Sequence, residues 1–197
     1  MTDAANAICA AILAGGEGRR VGGDDKGLLM LCGKPMVEHV AAALRGQVDA
    51  VLVCANRNAG EYAKFGEVIA DTASGFHGPL AGIATALAHF PGPWLLTVPV
   101  DAPAPPHDLA ARLRAAATAA GADAAVAHDG MRRQPLFALY RGSLAQAAAR
   151  ALADDLPVWQ WQDRIGAVEV DFCDQAQSFV NLNTLEEFRE WERQHAG

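Results

Sequence analysis

The sequence predicts an α/β protein with a single Rossmann-like, three-layer domain and a mostly parallel sheet, and three observations lead to this prediction. Apolar runs of strand length alternate with segments whose apolar residues recur at helical spacing. Most of the runs are continuously apolar, which is typical of strands that are buried on both faces. The 197 residues are enough for one core, and they contain neither an internal repeat nor a long linker.

The first two thirds of the chain carry the alternating pattern. Strands are predicted at Ala7–Ala14, Ala50–Val53, Val68–Ala70, Trp94–Val98 and Ala122–Ala127. Helical faces are predicted from Val37/Val40/Ala41/Leu44, from Ile83/Leu87 and from Leu109/Leu113/Ala116/Ala117. Strand–helix–strand units in this order build a parallel sheet that helices cover.

The pattern changes after about residue 130. Further strands are predicted at Leu136–Tyr140, Ala167–Val170 and Phe179–Leu182. Thr184 and Glu187 have the spacing of a capping box, which predicts a last helix that ends at Gln194.

Charge and cysteine content exclude several classes of protein. A net charge of −7 argues against a non-specific nucleic-acid binder, although clustered Arg and Lys can still hold a small polyanion. The cysteines, Cys9, Cys32, Cys54 and Cys173, form no CxxC pair, so we expect neither a zinc site nor a redox motif. Free thiols fit a reducing cytosol. The first apolar run lacks a basic flank and is too short for a membrane span, so we expect a cytoplasmic protein with no membrane partner.

A glycine-rich stretch, "LAGGEGRRVGGDDKG", follows the first predicted strand. Glycines let the backbone approach an anion closely, so that successive N–H groups point at it. Arg19 and Arg20 can bind phosphate oxygens with two N–H groups each, and Lys26 supplies a compact cation. The stretch fails the dinucleotide pattern G-x-G-x-x-G because Val21 stands at the third glycine, and it contains no Walker A lysine. A merely flexible surface loop remains the alternative, although such loops are usually uncharged.

The longer stretch "LAGGEGRRVGGDDKGL" resembles the signature loop of nucleotidyltransferases that transfer a nucleoside monophosphate to a phosphorylated acceptor. Within that superfamily, the doubled glycine pairs and the ending "DKGL" resemble the molybdenum cofactor guanylyltransferase family. The resemblance implies the nucleotide-diphospho-sugar transferase fold. It also implies an enzyme that transfers GMP from GTP to the terminal phosphate of molybdopterin or molybdenum cofactor and releases pyrophosphate. Over residues 1–197, the N-terminal half would bind the nucleotide and the C-terminal part the acceptor.

Other short stretches extend the resemblance, namely "CANRN", "VIAD", "GPLAG", "LLTVPVDAP" and "FVNLNT". The resemblance implies Asp101 as the ligand of a Mg²⁺ cofactor, and Asp101, Lys26 and Arg19 as the catalytic residues. It assigns nucleotide or acceptor binding to Leu13, Ala14, Gly15, Gly16, Gly18, Arg19, Gly22, Gly23, Lys26, Cys54, Asn56, Asp71, Gly78, Pro79, Leu80, Asn181 and Asn183. If Phe179–Leu182 is a strand, alternation places the two asparagines on one side of it.

Some of these positions leave alternatives open. Cys54 stands where the family usually has asparagine, which implies a backbone contact there or a compensating role for Asn56. The Asp71 carboxylate suits either guanine N1–H and its 2-amino group or the ribose hydroxyls, and it could also simply cap a turn. In "RRQPLFALY", Arg132, Arg133 and Gln134 are predicted to face the acceptor. Trp159 and Trp161 fit either packing, in the core or at an edge strand, or the pterin site.

Three other functions compete with guanylyl transfer. They are cytidylyl transfer to the same pterin, nucleotidyl transfer to a sugar 1-phosphate, and non-catalytic delivery of the mature cofactor. The resemblance also implies transient contacts with molybdoenzymes and with a P-loop GTPase accessory protein, and no nucleic-acid partner. Intact Asp101 and Lys26 favour an active enzyme over a delivery module.

Overall fold

The computed structural model describes residues 7–15, 25–70, 78–90 and 92–195. Within them, the main sheet has seven strands in the order β5-β4-β1-β6-β8-β7-β9, and β2 and β3 form a separate hairpin. The strands are β1 (Ile8–Leu13), β2 (Met30–Leu31), β3 (Lys34–Pro35), β4 (Ala50–Cys54), β5 (Glu67–Ile69), β6 (Trp94–Pro99), β7 (Ala124–His128), β8 (Arg133–Arg141) and β9 (Val168–Asp171).

Every strand of the main sheet except β8 runs in the same direction. The β1–β4, β1–β6, β4–β5 and β7–β9 pairs are parallel, whereas β8 is antiparallel to both of its neighbours, β6 and β7. The prediction of a mostly parallel sheet is therefore confirmed. Reversal of β8 places the turn that joins β7 to β8 at the same edge of the sheet as the carboxyl ends of β1, β4 and β6.

Helices cover both faces of the sheet, which gives the predicted three layers. They are α1 (Met36–Leu44), α2 (Ala59–Tyr62), α3 (Pro79–His89), α4 (Leu109–Ala120), α5 (Ala145–Ala153), α6 (Val158–Arg164) and α7 (Leu185–His195). One core packs α1 and α4 against the sheet, and the other packs α3, α5 and α6 against its opposite face. Neighbouring residues of β1 alternate between the two cores, since Ala10 belongs to one and Ala11 to the other. No helix among the described residues is long and apolar enough to cross a membrane.

One sequence prediction for the C-terminal part is wrong. Phe179–Leu182 is not a strand, because a 3₁₀ helix spans Cys173–Phe179 and an extended connection follows it.

Trp159 and Trp161 lie on α6, which begins after Pro157, and not on an edge strand. The alternative of core packing is confirmed for Trp161. Trp161 is buried and stacks on Tyr140, with 5.0 Å between the ring centroids, whereas Trp159 is half exposed.

The start of α7 follows the sequence prediction closely. The Thr184 hydroxyl accepts a hydrogen bond from Glu187 N, and the Glu187 carboxylate accepts one from Thr184 N at 2.8 Å. These reciprocal bonds are those of a capping box, so this prediction is confirmed.

Candidate active site

The carboxyl ends of β1, β4 and β6 are joined by backbone hydrogen bonds just beyond the strands. Ala14 N donates to Cys54 O at 2.9 Å, and Val100 N donates to Leu13 O at 3.1 Å. These bonds fix the point at which the chain leaves β1 and the point at which it leaves β6. Ligands of open α/β sheets bind at this edge.

Lys26 lies at this edge between two oxygen atoms from distant parts of the chain. Its Nζ is 2.7 Å from Asp101 Oδ2 and 2.7 Å from Asn183 Oδ1. The side chains of Lys26 and Asp101 are only 18% and 22% exposed, so solvent screens this ion pair less than one at the surface. The structure thus brings together three predicted site residues that are up to 157 positions apart in the chain.

Asn183 is held in place from two directions. Leu182 N, just before it, donates to Asp101 O at 2.8 Å, which ties the connection before α7 to the end of β6. Asn183 N donates to the Glu187 carboxylate at 2.6 Å, next to the bond from Thr184 N. These two backbone N–H bonds lower the pKa of Glu187, and the positive charge of Lys26 adds to the effect. The capping box of α7 therefore also positions a residue of the site.

The oxygen atoms around Lys26 fit a magnesium ion. Asp101 Oδ2 and Asn183 Oδ1 already converge on one cation, the ammonium group of Lys26. Asn181 Oδ1 is buried and has no hydrogen-bond partner among the described residues, although Asn181 O accepts a bond from Asn183 Nδ2. Within the same described ranges, no group of three or more His, Cys, Asp or Glu side chains could hold a metal. Mg²⁺ suits such a site because it binds through one or two carboxylates together with waters and substrate phosphates.

The residues on either side of Lys26 are also fixed. Asp25 accepts a hydrogen bond from the Tyr62 hydroxyl at 2.5 Å and another from Asn58 Nδ2 at 2.9 Å. A Cβ atom on Gly27 would lie 2.4 Å from the Tyr62 hydroxyl and 2.9 Å from Val100 Cγ2. Sequence reasoning missed Tyr62 and Asn58. The available signal was their position after β4, where a neighbouring strand of a parallel sheet ends beside the glycine-rich loop.

The predicted residues after β4 and at α3 are placed as follows. Cys54 is buried, and its thiol donates to Gly82 O at 3.6 Å, so the side chain points into the core beside α3. Asn56 lies in the exposed bend after β4. Gly78 precedes α3 with a φ of 67°, Pro79 is the first helical residue, and Leu80 is buried. The "GPLAG" stretch thus forms the predicted turn into a helix.

The three residues that were predicted to face the acceptor have different surroundings: one forms ion pairs, one is buried and one is exposed to solvent. Arg133 binds Asp163 and Glu169, at 2.5 and 2.6 Å, and is therefore held against α6 and β9. Gln134 is buried and donates to Asp129 in the β7–β8 turn, whereas the side chain of Arg132 is 76% exposed.

The remaining predicted residues lie outside the described residues. They are Gly16, Gly18, Arg19, Arg20, Gly22, Gly23 and Asp71. Of the glycine-rich stretch, the structure describes Leu13, Ala14 and Gly15 before this gap and Asp25, Lys26 and Gly27 after it.

A groove of about 990 Å³ lies at the opposite edge of the sheet, where β1 begins. It is lined by residues such as Gln47, Asp49, His107 and Thr118, and none of the predicted site residues contributes to it. Lys26 and Asp101, which were predicted to bind phosphate and metal, lie instead at the carboxyl edge.

Comparison with known proteins shows the family of this chain. The model of the MobA-like NTP transferase domain family matches residues 10–167, which contain Lys26 and Asp101. The molybdenum cofactor guanylyltransferase of Shewanella putrefaciens is 46% identical over 182 residues, which are 91% of this chain and 93% of the relative. The enzyme of the same name from Shewanella pealeana is 43% identical, with 91% of each chain covered.

Two solved structures show the same fold. Molybdopterin-guanine dinucleotide biosynthesis protein A from Archaeoglobus fulgidus superposes with a TM-score of 0.78 at 27% identity, covering 95% of this chain and 98% of the other. The 2-C-methyl-D-erythritol 4-phosphate cytidylyltransferase of Thermus thermophilus superposes with a TM-score of 0.71, over 95% and 98% of the two chains. At 19% identity, this likeness shows the fold alone.

Proposed function

The chain belongs to the MobA-like NTP transferase family, and from this membership we propose that it transfers GMP from GTP to the terminal phosphate of molybdopterin or molybdenum cofactor. The products are the guanine dinucleotide cofactor and pyrophosphate. The observation that carries the proposal is the convergence of Lys26, Asp101 and Asn183 at the carboxyl edge of the sheet.

The reaction joins two anions and needs no enzyme nucleophile. An oxygen of the acceptor phosphate forms a bond to the α-phosphorus of GTP, and the bond from that phosphorus to the pyrophosphate oxygen breaks. The acceptor phosphate is largely ionised at neutral pH, since its second pKa is about 6, so no general base has to remove a proton. The work of the protein is therefore to position the two phosphates in line and to offset their charge.

Among the described residues, Lys26 is the cation that we propose to offset the charge of the phosphates. In the structure its ammonium group is bound to Asp101 and Asn183, both of which hold it at the edge where the phosphates would lie. From there it offsets the charge that develops on the α-phosphate and on the departing pyrophosphate. Arg19 is proposed for a similar role on the basis of the sequence resemblance.

We further propose that the reaction depends on Mg²⁺. Asp101 would hold the ion, with the amide oxygens of Asn183 and Asn181 beside it. When bound, the ion would supply Lewis-acid chemistry and offset the negative charge of the phosphates. The phosphates of GTP would offer the Lys26 ammonium group further oxygen partners.

GTP and molybdopterin are the substrates that this proposal requires. The cytoplasm is the proposed compartment, in keeping with four cysteines that are all free thiols. Transient contacts with molybdoenzymes and with a P-loop GTPase stay predictions from the sequence.

The decisive experiment is identification of the product. Purified protein is incubated with molybdopterin, MgCl₂ and an equimolar mixture of GTP, CTP, ATP and UTP, and the dinucleotide formed is identified by mass spectrometry. We expect the guanine dinucleotide, and we expect none after chelation of Mg²⁺. A cytosine dinucleotide would show cytidylyl transfer instead, and absence of any dinucleotide would contradict catalysis.

Asp101→Ala tests the proposed metal ligand in the same assay. We expect turnover to fall by a factor of about 10² or more with the fold intact, because the variant loses the carboxylate that holds the ion and orients Lys26. Asp123→Ala is the matched control, since Asp123 is an exposed aspartate just before β7, at the opposite edge of the sheet. Near-normal guanylyl transfer by Asp101→Ala would remove the metal assignment.

A further inference from the structure

Two side chains that follow β4 bind the residue immediately before Lys26. The Tyr62 hydroxyl donates to Asp25 Oδ1 at 2.5 Å, and Asn58 Nδ2 donates to Asp25 Oδ2 at 2.9 Å. Both carboxylate oxygens of Asp25 are thus bound to residues of the β4–α2 region. From this geometry we propose that Tyr62 and Asn58 act as positioning residues, which hold Asp25 so that the ammonium group of Lys26 meets the phosphates. This inference rests on the function proposed above.

Tyr62 is well suited to be a permanent donor. Its side chain is fully buried under the edge of the sheet, and burial together with the bond to Asp25 raises the pKa of its hydroxyl far above neutrality. The hydroxyl therefore keeps its proton at every physiological pH. A hydrogen bond from a neutral donor to a carboxylate is stronger than one between two neutral groups, and partial burial strengthens it further.

Asn58 is suited to its place by its backbone as well as by its amide. It has a φ of 53°, in the left-handed region that asparagine tolerates better than most residues. Its carbonyl oxygen accepts bonds from Glu61 N and Tyr62 N at the start of α2. One residue thus fixes the short helix that carries Tyr62 and also contacts Asp25 directly.

The bonds from Tyr62 and Asn58 to Asp25 form an anchor, which acts on Lys26 because it restrains the backbone on both sides of that residue. Asp25 is fixed by its carboxylate, and Gly27 lies so close to Tyr62 and Val100 that no Cβ atom would fit there. The lysine side chain has four rotatable bonds, and a mobile backbone would add to the entropy lost when its ammonium group is placed. Restraining the backbone beforehand lowers that cost at the moment of reaction.

The first test observes the Lys26 ammonium group directly and needs no substrate. Lys26, Lys34 and Lys64 are the lysines of the chain, and Lys34 and Lys64 are 60% and 63% exposed. In ¹⁵N-labelled protein, the shielded and hydrogen-bonded Lys26 should give the ammonium signal that exchanges most slowly with water. We expect Tyr62→Phe to speed this exchange or abolish the signal.

Tyr140→Phe is the matched control, because Tyr140 is the other tyrosine of the chain. It is also fully buried, and its hydroxyl accepts a hydrogen bond from Gln162 Nε2 at 2.7 Å, in the core on the far side of the sheet. This variant loses a buried hydroxyl as Tyr62→Phe does, but we expect it to leave the Lys26 signal unchanged. If Tyr62→Phe does not fold, Asn58→Gly removes the second bond to Asp25 and keeps the left-handed backbone without strain.

The second test is a kinetic double-mutant cycle. We expect Tyr62→Phe to lower kcat/KM for GTP about ten-fold, mostly through kcat, since Lys26 is proposed to act on charge that develops in the transition state. In a Lys26→Met background, the same change should alter kcat/KM by less than about two-fold, because the residue through which it acts is gone.

The two tests separate this inference from the proposed function. A faster-exchanging Lys26 signal in Tyr62→Phe or Asn58→Gly, together with non-additive kinetics, supports the anchor. An unchanged Lys26 signal in both variants, or equal losses of kcat/KM with and without Lys26, overturns it. If the wild-type protein forms no guanine dinucleotide, the function fails, but the exchange rates still decide whether Tyr62 and Asn58 position Lys26.

Discussion

The backbone at Gly27 lies close to the side chains of Tyr62 and Val100, and substitution with alanine, which adds one carbon atom, tests this contact. The added Cβ of Gly27→Ala would meet Tyr62 and Val100 well inside van der Waals distance. Because both neighbours belong to the packed edge of the sheet, we expect the free energy of unfolding to fall by about 1–3 kcal/mol. Lys26 should move with the displaced backbone, so guanylyl transfer should fall as well. Urea denaturation and the product assay measure the two effects.

Gly60→Ala is the control for that variant. Gly60 lies within α2, and a Cβ there would have no atom within 4 Å. Alanine in a helix is favoured over glycine, so this variant should be as stable as the wild type or more stable by about 0.5–1 kcal/mol. Equal stability losses in the two variants would show that the contacts around Gly27 are not restrictive.

At the residue scale, site residues could be predicted from the sequence where the residue type and its position together indicate few roles other than ligand binding. The lysine of a glycine-rich loop and the aspartate after a buried strand were predicted as partners of phosphate and metal, and the structure brings Lys26 and Asp101 to 2.7 Å. Tyr62 could not be predicted in the same way. Its hydroxyl matters only because the chain folds Asp25 onto it from 37 positions away, and no local pattern marks such a contact.

At the scale of elements, the N-terminus of α7 links stability to the site. The folded protein lowers the pKa of Glu187, chiefly through the bonds from Asn183 N and Thr184 N. A carboxylate with a lowered pKa stabilises the fold above its unfolded pKa of about 4.3, and this contribution is lost as the pH falls through the folded value. Glu187→Gln should therefore lower the free energy of unfolding by about 0.5–1 kcal/mol at pH 7. The loss stays this small because solvent screens the exposed carboxylate.

The difference in the free energy of unfolding between Glu187→Gln and wild type should shrink as the pH falls from the unfolded pKa of about 4.3 through the lower folded pKa, because the wild-type carboxylate then takes up a proton and loses its charge. Urea unfolding curves between pH 3 and pH 7 measure it. Glu186→Gln is the matched control, since it removes the same charge from the same turn of α7. A loss that is the same at every pH, or equal in both variants, would contradict the role assigned to the Glu187 carboxylate.

The elements themselves were predicted well where the apolar pattern was long. β1 lies within its predicted range, and β6 extends one residue past its predicted end. Both agree closely because a continuous apolar run is typical of a strand that is buried on both faces at the centre of a sheet. Phe179–Leu182 has three apolar residues, of which Val180 and Leu182 alternate with Asn181, but Leu182 N bonds to Asp101 O and the segment forms no strand. A short alternating run is ambiguous, because pairing depends on a free sheet edge that the local sequence does not reveal.

At the scale of the whole molecule, one sheet combines both halves of the chain. The strand β8, from the C-terminal part, lies between β6 and β7, so the halves cannot separate without breaking the sheet. We expect residues 1–197 to unfold as one domain, with tryptophan fluorescence and far-ultraviolet circular dichroism following a single urea transition. Two separated transitions would contradict a single domain.

Reversal of β8 has a consequence for how this enzyme can change. The parallel strands have their last residues at the carboxyl edge of the sheet, whereas β8 has its first residues there. The turn before β8 is held by Asp129, whose carboxylate accepts hydrogen bonds from Met131 N and Arg132 N. That turn is a hairpin tip, with the Met131 side chain 93% exposed, so insertions there leave the sheet pairing intact. We therefore expect longer versions of this hairpin to leave both the sheet and the contacts of Lys26 with Asp101 and Asn183 intact.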